Sequence, residues 1–243
     1  MKILLKLCLS MIMAWTFTAP ARADLIVNGG FESGFSSWTR ANQVGSEGTF
    51  ALQSGTLSPV NAITVPAPPG GTFAAMTDAE GPGSHVLYQD FTVLSPLSTA
   101  LLTFDLFIGN RAGRFDSPAT LDFATATLNQ QARVDILLAS ANPFSVAPSD
   151  VLLNVYQTKT GDPLVSGYTP TSQDVSAILN THLNQQLRLR FSEVDNEFIF
   201  QLGVDNVHIQ ESAQVVPEPS YWVITFVGVL AIFWLRRRTA QAG

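Results

Sequence analysis

Cysteine, basic residues and charge of any kind are scarce in this chain. Its 243 residues include one cysteine, Cys8, 13 Lys and Arg together, and 13% charged residues overall. One cysteine rules out an intramolecular disulfide framework and a thiolate zinc site. The three histidines, His85, His182 and His208, are scattered, with neither an H-x-H nor an H-E-x-x-H spacing, so the usual pairing for a catalytic zinc is missing. A G-x-S-x-G nucleophile elbow is also missing. Carboxylates are plentiful, but nothing marks two of them out as a glycosidase pair. The expectation is a protein without enzymatic activity.

The few basic residues sit mostly at the ends. Lys2 and Lys6 precede an apolar stretch from Leu7 to Phe17, and Ala21-Arg22-Ala23 follows just before Asp24. That order of positive, apolar and small-residue segments predicts a secretory signal peptide over 1–23, cut after Ala23, with Ala21 and Ala23 as the small residues of the site. Cleavage would remove Cys8 and leave no thiol. At the other end, Tyr221 to Leu235 is an uncharged apolar run of 15 residues, followed by Arg236, Arg237 and Arg238. As a helix it would span about 22 Å, short of a hydrocarbon core of about 30 Å. Snorkelling arginines and an interfacial tyrosine would close part of that gap. The arginines belong on the cytoplasmic side, so the body faces outward, as the signal peptide also requires.

Setting both ends aside changes the charge. Residues 24–216 hold 7 basic and 18 acidic residues, and 7 − 18 gives −11 against −6 for the whole chain. Such a body excludes nucleic-acid binding and is repelled by anionic membrane surfaces, whereas neutral glycans and divalent cations remain compatible. About 190 residues suit one domain with a substantial core.

That body reads as β-sheet. "LRLRF" puts Leu187, Leu189 and Phe191 on one face and Arg188 and Arg190 on the other; "FIFQL" does the same with Phe198, Phe200 and Leu202. "LTFDLFIG" sets Leu102, Phe104, Leu106 and Ile108 against Thr103 and Asp105, which leaves Phe107 on the polar side. "ARVDILLA" repeats the pattern with Val134, Ile136 and Leu138. Further strands are expected within 48–52, 71–76, 85–93, 120–128 and 151–157, and one short helix within 172–183. Many short strands with Gly/Pro punctuation predict an all-β sandwich or jelly roll over 24–213. Asp195-Asn196-Glu197 reads as a solvated hairpin turn rather than an oxygen-rich ligand site.

Two resemblances follow from particular residues. Pro217-Glu218-Pro219, the apolar run 221–235 and the Arg236–Arg238 cluster at the C-terminus resemble a PEP-CTERM sorting signal, here 214–243. The resemblance implies export through the inner membrane of a Gram-negative cell that makes extracellular polysaccharide. It also implies processing by an exosortase-like membrane enzyme near the Pro-Glu-Pro motif, and a final place at the cell surface or in the extracellular matrix. The two prolines fix φ and remove amide donors, which keeps such a segment extended and accessible.

"LIVNGGFESGFSSW" at 25–38 and "QLGVDNVHIQ" at 201–210 resemble the opening and closing segments of galactose-binding-like jelly rolls, the fold of many carbohydrate-binding modules. The resemblance implies that the first and last strands lie side by side. It also implies a structural Ca²⁺ held by Glu32 and Asp205, with Asn28 as a looser ligand. Read from the residues alone, Asp205 alternates onto the side of Val207 and Ile209, and a buried carboxylate there needs a partner or a metal. Capping of turns through backbone amides is the other reading of Glu32 and Asp205. For glycan contact, Trp38 is the only tryptophan between the two ends, and Phe107 is exposed by alternation. Tyr88, Phe115, Tyr156 and Tyr168 are unranked further platforms. The functional expectation is an exported surface or matrix protein associated with extracellular polysaccharide. The alternatives are a purely structural surface protein and, third, an enzyme acting on polysaccharide.

Overall fold

The computed structural model describes residues 23–213. The expected signal peptide (1–22 of it), PEP motif, apolar run and arginine cluster lie outside the described residues. No helix among the described residues is long and apolar enough to cross a membrane.

Among the described residues, eleven strands and one short helix follow in chain order: β1 (Ala23–Asp24), β2 (Thr39–Asn42), β3 (Phe50–Gln53), β4 (Ala74–Thr77), β5 (Gly83–Thr92), β6 (Leu97–Asn110), β7 (Gln130–Leu138), β8 (Val151–Gln157), β9 (Thr169–Asp174), α1 (Ser176–Asn180), β10 (Gln186–Asp195) and β11 (Phe200–Ala213). They form two antiparallel sheets. The first runs β3-β4-β11-β6-β9, with β1 also paired to β11; the second runs β2-β5-β10-β7-β8. This is the all-β sandwich expected of the alternating pattern, and the first and last strands pair through Ala23 with Glu211 and Asp24 with Gln210.

The two inner faces meet in one apolar core, as alternation requires. Leu187, Leu189 and Phe191 of β10 and Val134 and Ile136 of β7 face Leu102, Phe104, Leu106 and Ile108 of β6. Phe104 meets Phe191 edge-on at 5.4 Å between ring centres. Trp38 packs against both Phe31, at 5.3 Å, and Phe191, at 6.1 Å. Aromatic pairs of this kind contribute about 0.5–1.5 kcal/mol beyond the area they bury.

Several sequence expectations change, each for a physical reason. Residues 120–128 form turns, not a strand. Asn196 fastens that loop, its amide donating to the carbonyls of Phe123 and Thr127 while its Oδ1 accepts from the Asn129 amide. The 195–197 turn is therefore a staple, not only a solvated bend. The helix expected over 172–183 shrinks to Ser176–Asn180 because Thr169–Asp174 pairs with Leu101–Leu106 instead, where sheet bonds outweigh a weak helical pattern. Most of 25–38 is turn rather than strand. Phe198 lies outside β11 and is 57% exposed. β4 starts only at Ala74, since the amides of Gly70, Thr72 and Phe73 go to carboxylates and not to a ladder.

The largest correction concerns the polar faces. Arg188 and Arg190, expected in water, are 6% and 0% exposed. The β7–β8 connection crosses the outer face of the second sheet, and Arg190 donates to the carbonyls of Pro143 and Ser145, 2.7 Å each, and to Asp135. Asp135, also fully buried, accepts from Arg133 and Asn154 as well. Burial alone would push Asp135 up, but the Arg133 and Arg190 guanidiniums hold it below the usual carboxylate value. Alongside, Arg188 makes a two-point bond to Asp90 and lies 3.9 Å above the Tyr88 ring. Phe123, Phe144 and Val146 from the two covering loops pack onto the small cluster of Val86, Leu121 and Val194.

Removing one partner from such a buried network leaves a charge uncompensated. Arg190→Ala should destabilise the protein by about 3 kcal/mol, a fall of about 6–12 °C in melting temperature for a domain this size. Adding Asp135→Leu to an Arg190→Met change should not regain it, because the buried Arg133 then loses its carboxylate as well. Calorimetry checks both, and a single substitution that melts with the parent would show that Arg190 carries none of the covering loop's stability.

Candidate functional site

Two of the three residues expected to hold calcium, Glu32 and Asp205, converge on one segment, 70–73. Glu32 Oε1 accepts from the Thr72 and Phe73 amides at 2.7 and 2.9 Å, while Asp205 Oδ2 accepts from the Gly70 amide at 3.1 Å and Oδ1 from Asn206 at 2.7 Å. Turn capping through backbone amides is thus present at both carboxylates. The Phe73 and then the Thr72 amide hold Glu32 below its usual pKa. Asp205 moves the other way, to about 6, mainly through burial, with the charges of Asp105 and Glu32 adding to it against its two amide bonds.

Asp205 does not share the face of Val207 and Ile209. A bulge between Asp205 and His208, with Asn206 at φ 50°, switches the side that β11 presents. Phe200, Leu202 and Val204 face the core before it, and Val207 and Ile209 after it. Asp205 therefore lies on the outer face of the first sheet, register-paired with Asp105. Asn28 is committed elsewhere: its Nδ2 donates to the Gly34 and Ser36 carbonyls and its Oδ1 accepts from Ser33. It shapes the 28–36 turn, and its Oδ1 keeps one lone pair beyond the Ser33 bond. No group of three or more His, Cys, Asp or Glu side chains among the described residues is placed to hold a metal. A cation at Glu32 and Asp205 would have to complete its shell with carbonyls or water.

The aromatic candidates separate sharply. Trp38 is 6% exposed and donates its indole N–H to the Asn28 carbonyl at 3.0 Å; it is core. Phe107, expected to be exposed, is 1% exposed, because the outer face of the first sheet is also covered. It packs with Val65, Met76 and Tyr168 in a second apolar cluster. Neither ring is offered to a sugar. Phe115 is fully buried. Tyr168 donates its hydroxyl to Gln53 at 2.8 Å, and Tyr88 lies under Arg188. Tyr156 remains.

Tyr156 lines a cleft of about 520 Å³ that opens between the two sheets at one side of the sandwich, within the range of small-ligand sites. β8 ends the second sheet and β9 ends the first, and the 159–166 connection bends around the mouth. Leu106 and Ile108 of β6 form the floor, 3% and 5% exposed. Thr169 and Thr171 line it from β9, Thr169 opposite Leu106 and Thr171 opposite Phe104 in register. Burial, with the nearby charge of Asp162 second, pushes the Tyr156 hydroxyl up to about 12, so it remains a neutral donor at physiological pH. Lys159 and Asp162 set one charge of each sign at the rim.

An edge cleft invites an added strand, but these edges are poorly made for one. β8 carries two register shifts against β7, and β9 contains Pro170, which has no amide to donate. Both features block continuous pairing with an incoming peptide. An aromatic wall, an apolar floor and a rim of amides, hydroxyls and balanced charge suit a small neutral polar molecule better.

No protein-family model matches this chain, and no curated protein matches it. Solved structures of β-sandwich type are similar to it at low identity. The carbohydrate-binding module TmCBM61, solved with β-1,4-galactotriose, is 12% identical over 77% of this chain and 97% of that one, at a TM-score of 0.44. The K3 cleaved adhesin domain of Lys-gingipain from Porphyromonas gingivalis is 12% identical over 78% and 99%, at 0.47. A family 16 carbohydrate-binding module is 17% identical over 76% and 98%, at 0.41.

Sequence reasoning offers Tyr156 as one of four unranked further rings and does not disclose the cleft itself. Tyr156 is register-paired with Val134 across a shifted ladder, and the run "VLLNVYQ" gives no sign that its strand ends a sheet.

Proposed function

We propose that residues 24–213 form an exported, non-catalytic module that holds extracellular polysaccharide, with the cleft between β8 and β9 as its glycan site. The observation that carries the reading is the Tyr156 wall: among the described candidate rings, Tyr156 lines the cleft, together with the apolar Leu106 and Ile108 and with polar groups of β8, β9 and the 159–166 connection. Sugars present apolar ring faces and polar edges, and such a wall and rim complement both. The net charge of −11 over 24–216 favours a neutral polymer over an acidic one. Affinity electrophoresis of the full chain through gels containing neutral exopolysaccharide should show retardation. Tyr156→Ala should weaken it at least about tenfold, roughly 1.4 kcal/mol. Unretarded migration at every polysaccharide tested would leave a purely structural surface protein.

The two ends support delivery to that place. A signal peptide over 1–23 and a PEP-CTERM signal over 214–243 would pass the chain through the inner membrane and present it to an exosortase-like enzyme. Mass spectrometry of the protein recovered from the cell surface should find a chain that starts at Asp24 and lacks Arg236–Arg238. Recovery of an intact arginine terminus would mean plain anchoring.

A structural Ca²⁺ at Glu32 and Asp205 belongs to the same reading. Asp205 is buried beside the charges of Asp105 and Glu32, and among the described residues no arginine or lysine is paired with any of the three. A divalent cation with carbonyl ligands would neutralise that setting and pin the 70–73 segment. Calcium titration should release heat and raise the melting temperature, and Asp205→Asn should abolish both. A titration with neither effect removes the cation.

A further inference from the structure

The inner face of β10 does not stay apolar to its end. Leu187, Leu189 and Phe191 face the core, and the same alternation carries Glu193 and Asp195 inward after them. Glu193 is 1% exposed and Asp195 is 5% exposed. Register sets His85 of β5 and Ala132 of β7 on either side of Glu193, and Gly83 and Gln130 on either side of Asp195. From the facing sheet, the Thr77 hydroxyl of β4 bonds Glu193.

This setting is the opposite of the one around Asp135. Among the described residues no guanidinium or ammonium is paired with Glu193 or Asp195, and Glu193 Oε1 is buried without a hydrogen-bond partner. Arg133, Arg188 and Arg190 lie on the other face of the sheet, with Asp135 and Asp90. His85 beside the pair is buried too; its Nδ1 shares a hydrogen bond with Asn42 Oδ1 at 2.9 Å, and burial lowers the imidazole to about 4, which keeps it neutral. Glu47 of the 43–49 loop adds negative charge near Asp195. Asp78, next to Thr77, is held elsewhere by the Val60 and Asn61 amides and the Gln201 side chain.

A carboxylate buried without a cation is costly, and such a group keeps its proton instead. Burial, then the charge of Asp195, pushes Glu193 well above the usual carboxylate value. Burial raises Asp195 to about 7, with Glu47 adding to it, against the Gly83 and Phe200 amides.

The pair sits under the 43–49 loop. Asp195 Oδ1 accepts from the Gly83 amide at 2.8 Å, and the neighbours of Gly83 carry the loop. The Pro82 carbonyl accepts from the Glu47 amide at 3.1 Å, the Ser84 carbonyl accepts from Gln43 at 3.0 Å, and the Ser84 amide donates to the Ser46 hydroxyl at 3.0 Å. The packing is close: a Cβ at Gly81 would strike the Glu47 carboxyl, and one at Gly83 the His85 ring.

We propose that Glu193 and Asp195 form a proton-held latch at this end of the sandwich. With both protons in place the 43–49 loop is seated on β5. As the pH rises the protons leave to water, and Glu193, Asp195 and Glu47 then repel one another where water cannot screen them, so the loop lifts. Both folded-state values lie above those of the unfolded chain. The stability of the neutral pair is therefore complete below the unfolded carboxylate range and is lost as the pH rises through about 7 and beyond.

Calorimetry of the purified full chain compares the parent with a double variant, Glu193→Gln and Asp195→Asn, which keeps the shape and fixes neutrality. From about pH 5 to about pH 8 the parent should lose at least about 3 °C more in melting temperature than the variant, the shift one carboxyl supplies per pH unit in a domain this size. Hydrogen exchange at the Glu47 amide, relative to the Leu189 amide in the same sample, should quicken over that range in the parent alone. Equal pH profiles for the two proteins would overturn the latch. Carboxyl-carbon NMR titration of the unsubstituted chain needs no variant: midpoints above about 6 are expected for Glu193 and Asp195, and midpoints at the ordinary value of about 4 would overturn it. A calcium-induced rise in melting temperature that Asp205→Asn leaves in place and the double variant removes would make the pair a cation site and overturn the proton reading.

Discussion

A single carboxylate, fully buried between two guanidiniums, governs what the rest of this sandwich can do. Asp135 accepts from Arg133 and Arg190 and from Asn154, and Arg190 in turn holds the Pro143 and Ser145 carbonyls of the loop above it. Both ions have left water, and each needs the other and the carbonyls to offset that loss. The loop therefore stays down, and the outer face of the second sheet is closed by its own connection. The outer face of the first sheet is covered in part, where Val65 and Tyr168 lie over Met76 and Phe107. The cleft that holds Tyr156 lies at the side instead, where β8 and β9 end their sheets.

The same covering explains why β11 needs its bulge. A strand that alternated without interruption would carry Asp205 into the apolar core with Val207 and Ile209. Asn206, in the left-handed region that asparagine tolerates better than most residues, shifts the register by the needed step. Asp205 then faces the 70–73 segment, whose Gly70 amide donates to it. The segment cannot also pair as a strand, so β4 begins late. One backbone irregularity thus fixes the position of a charge, a loop and a strand boundary.

How much of this the sequence disclosed depends on the range of the interaction. Period-two alternation in "LRLRF", "ARVDILLA" and "LTFDLFIG" reports inner faces correctly, because inner-face burial is a property of each strand in turn. It cannot report whether an outer face is later covered by a distant loop. Alternation sets Arg188, Arg190 and Phe107 on outer faces, and all three are buried there. The paired opening and closing segments were legible, and β1 does lie against β11. The bulge was not: Asn206 is a weak local hint, and only its pairing with β6 across about a hundred residues of chain shows the step. The helix at 172–183 lost residues 172–174 to β9, a competition decided by a sheet edge that the local sequence does not display.

The position of the cleft also bears on how a polymer would meet it. A groove along a broad sheet face accepts the middle of a chain, with sugars passing in and out at its two ends. The cleft between the two sheets, bounded by β6, β8 and β9 and by the 159–166 connection, differs from such a groove. A polymer of the kind proposed above would have to reach Tyr156 past that connection, from the side of the sandwich where the two sheets end.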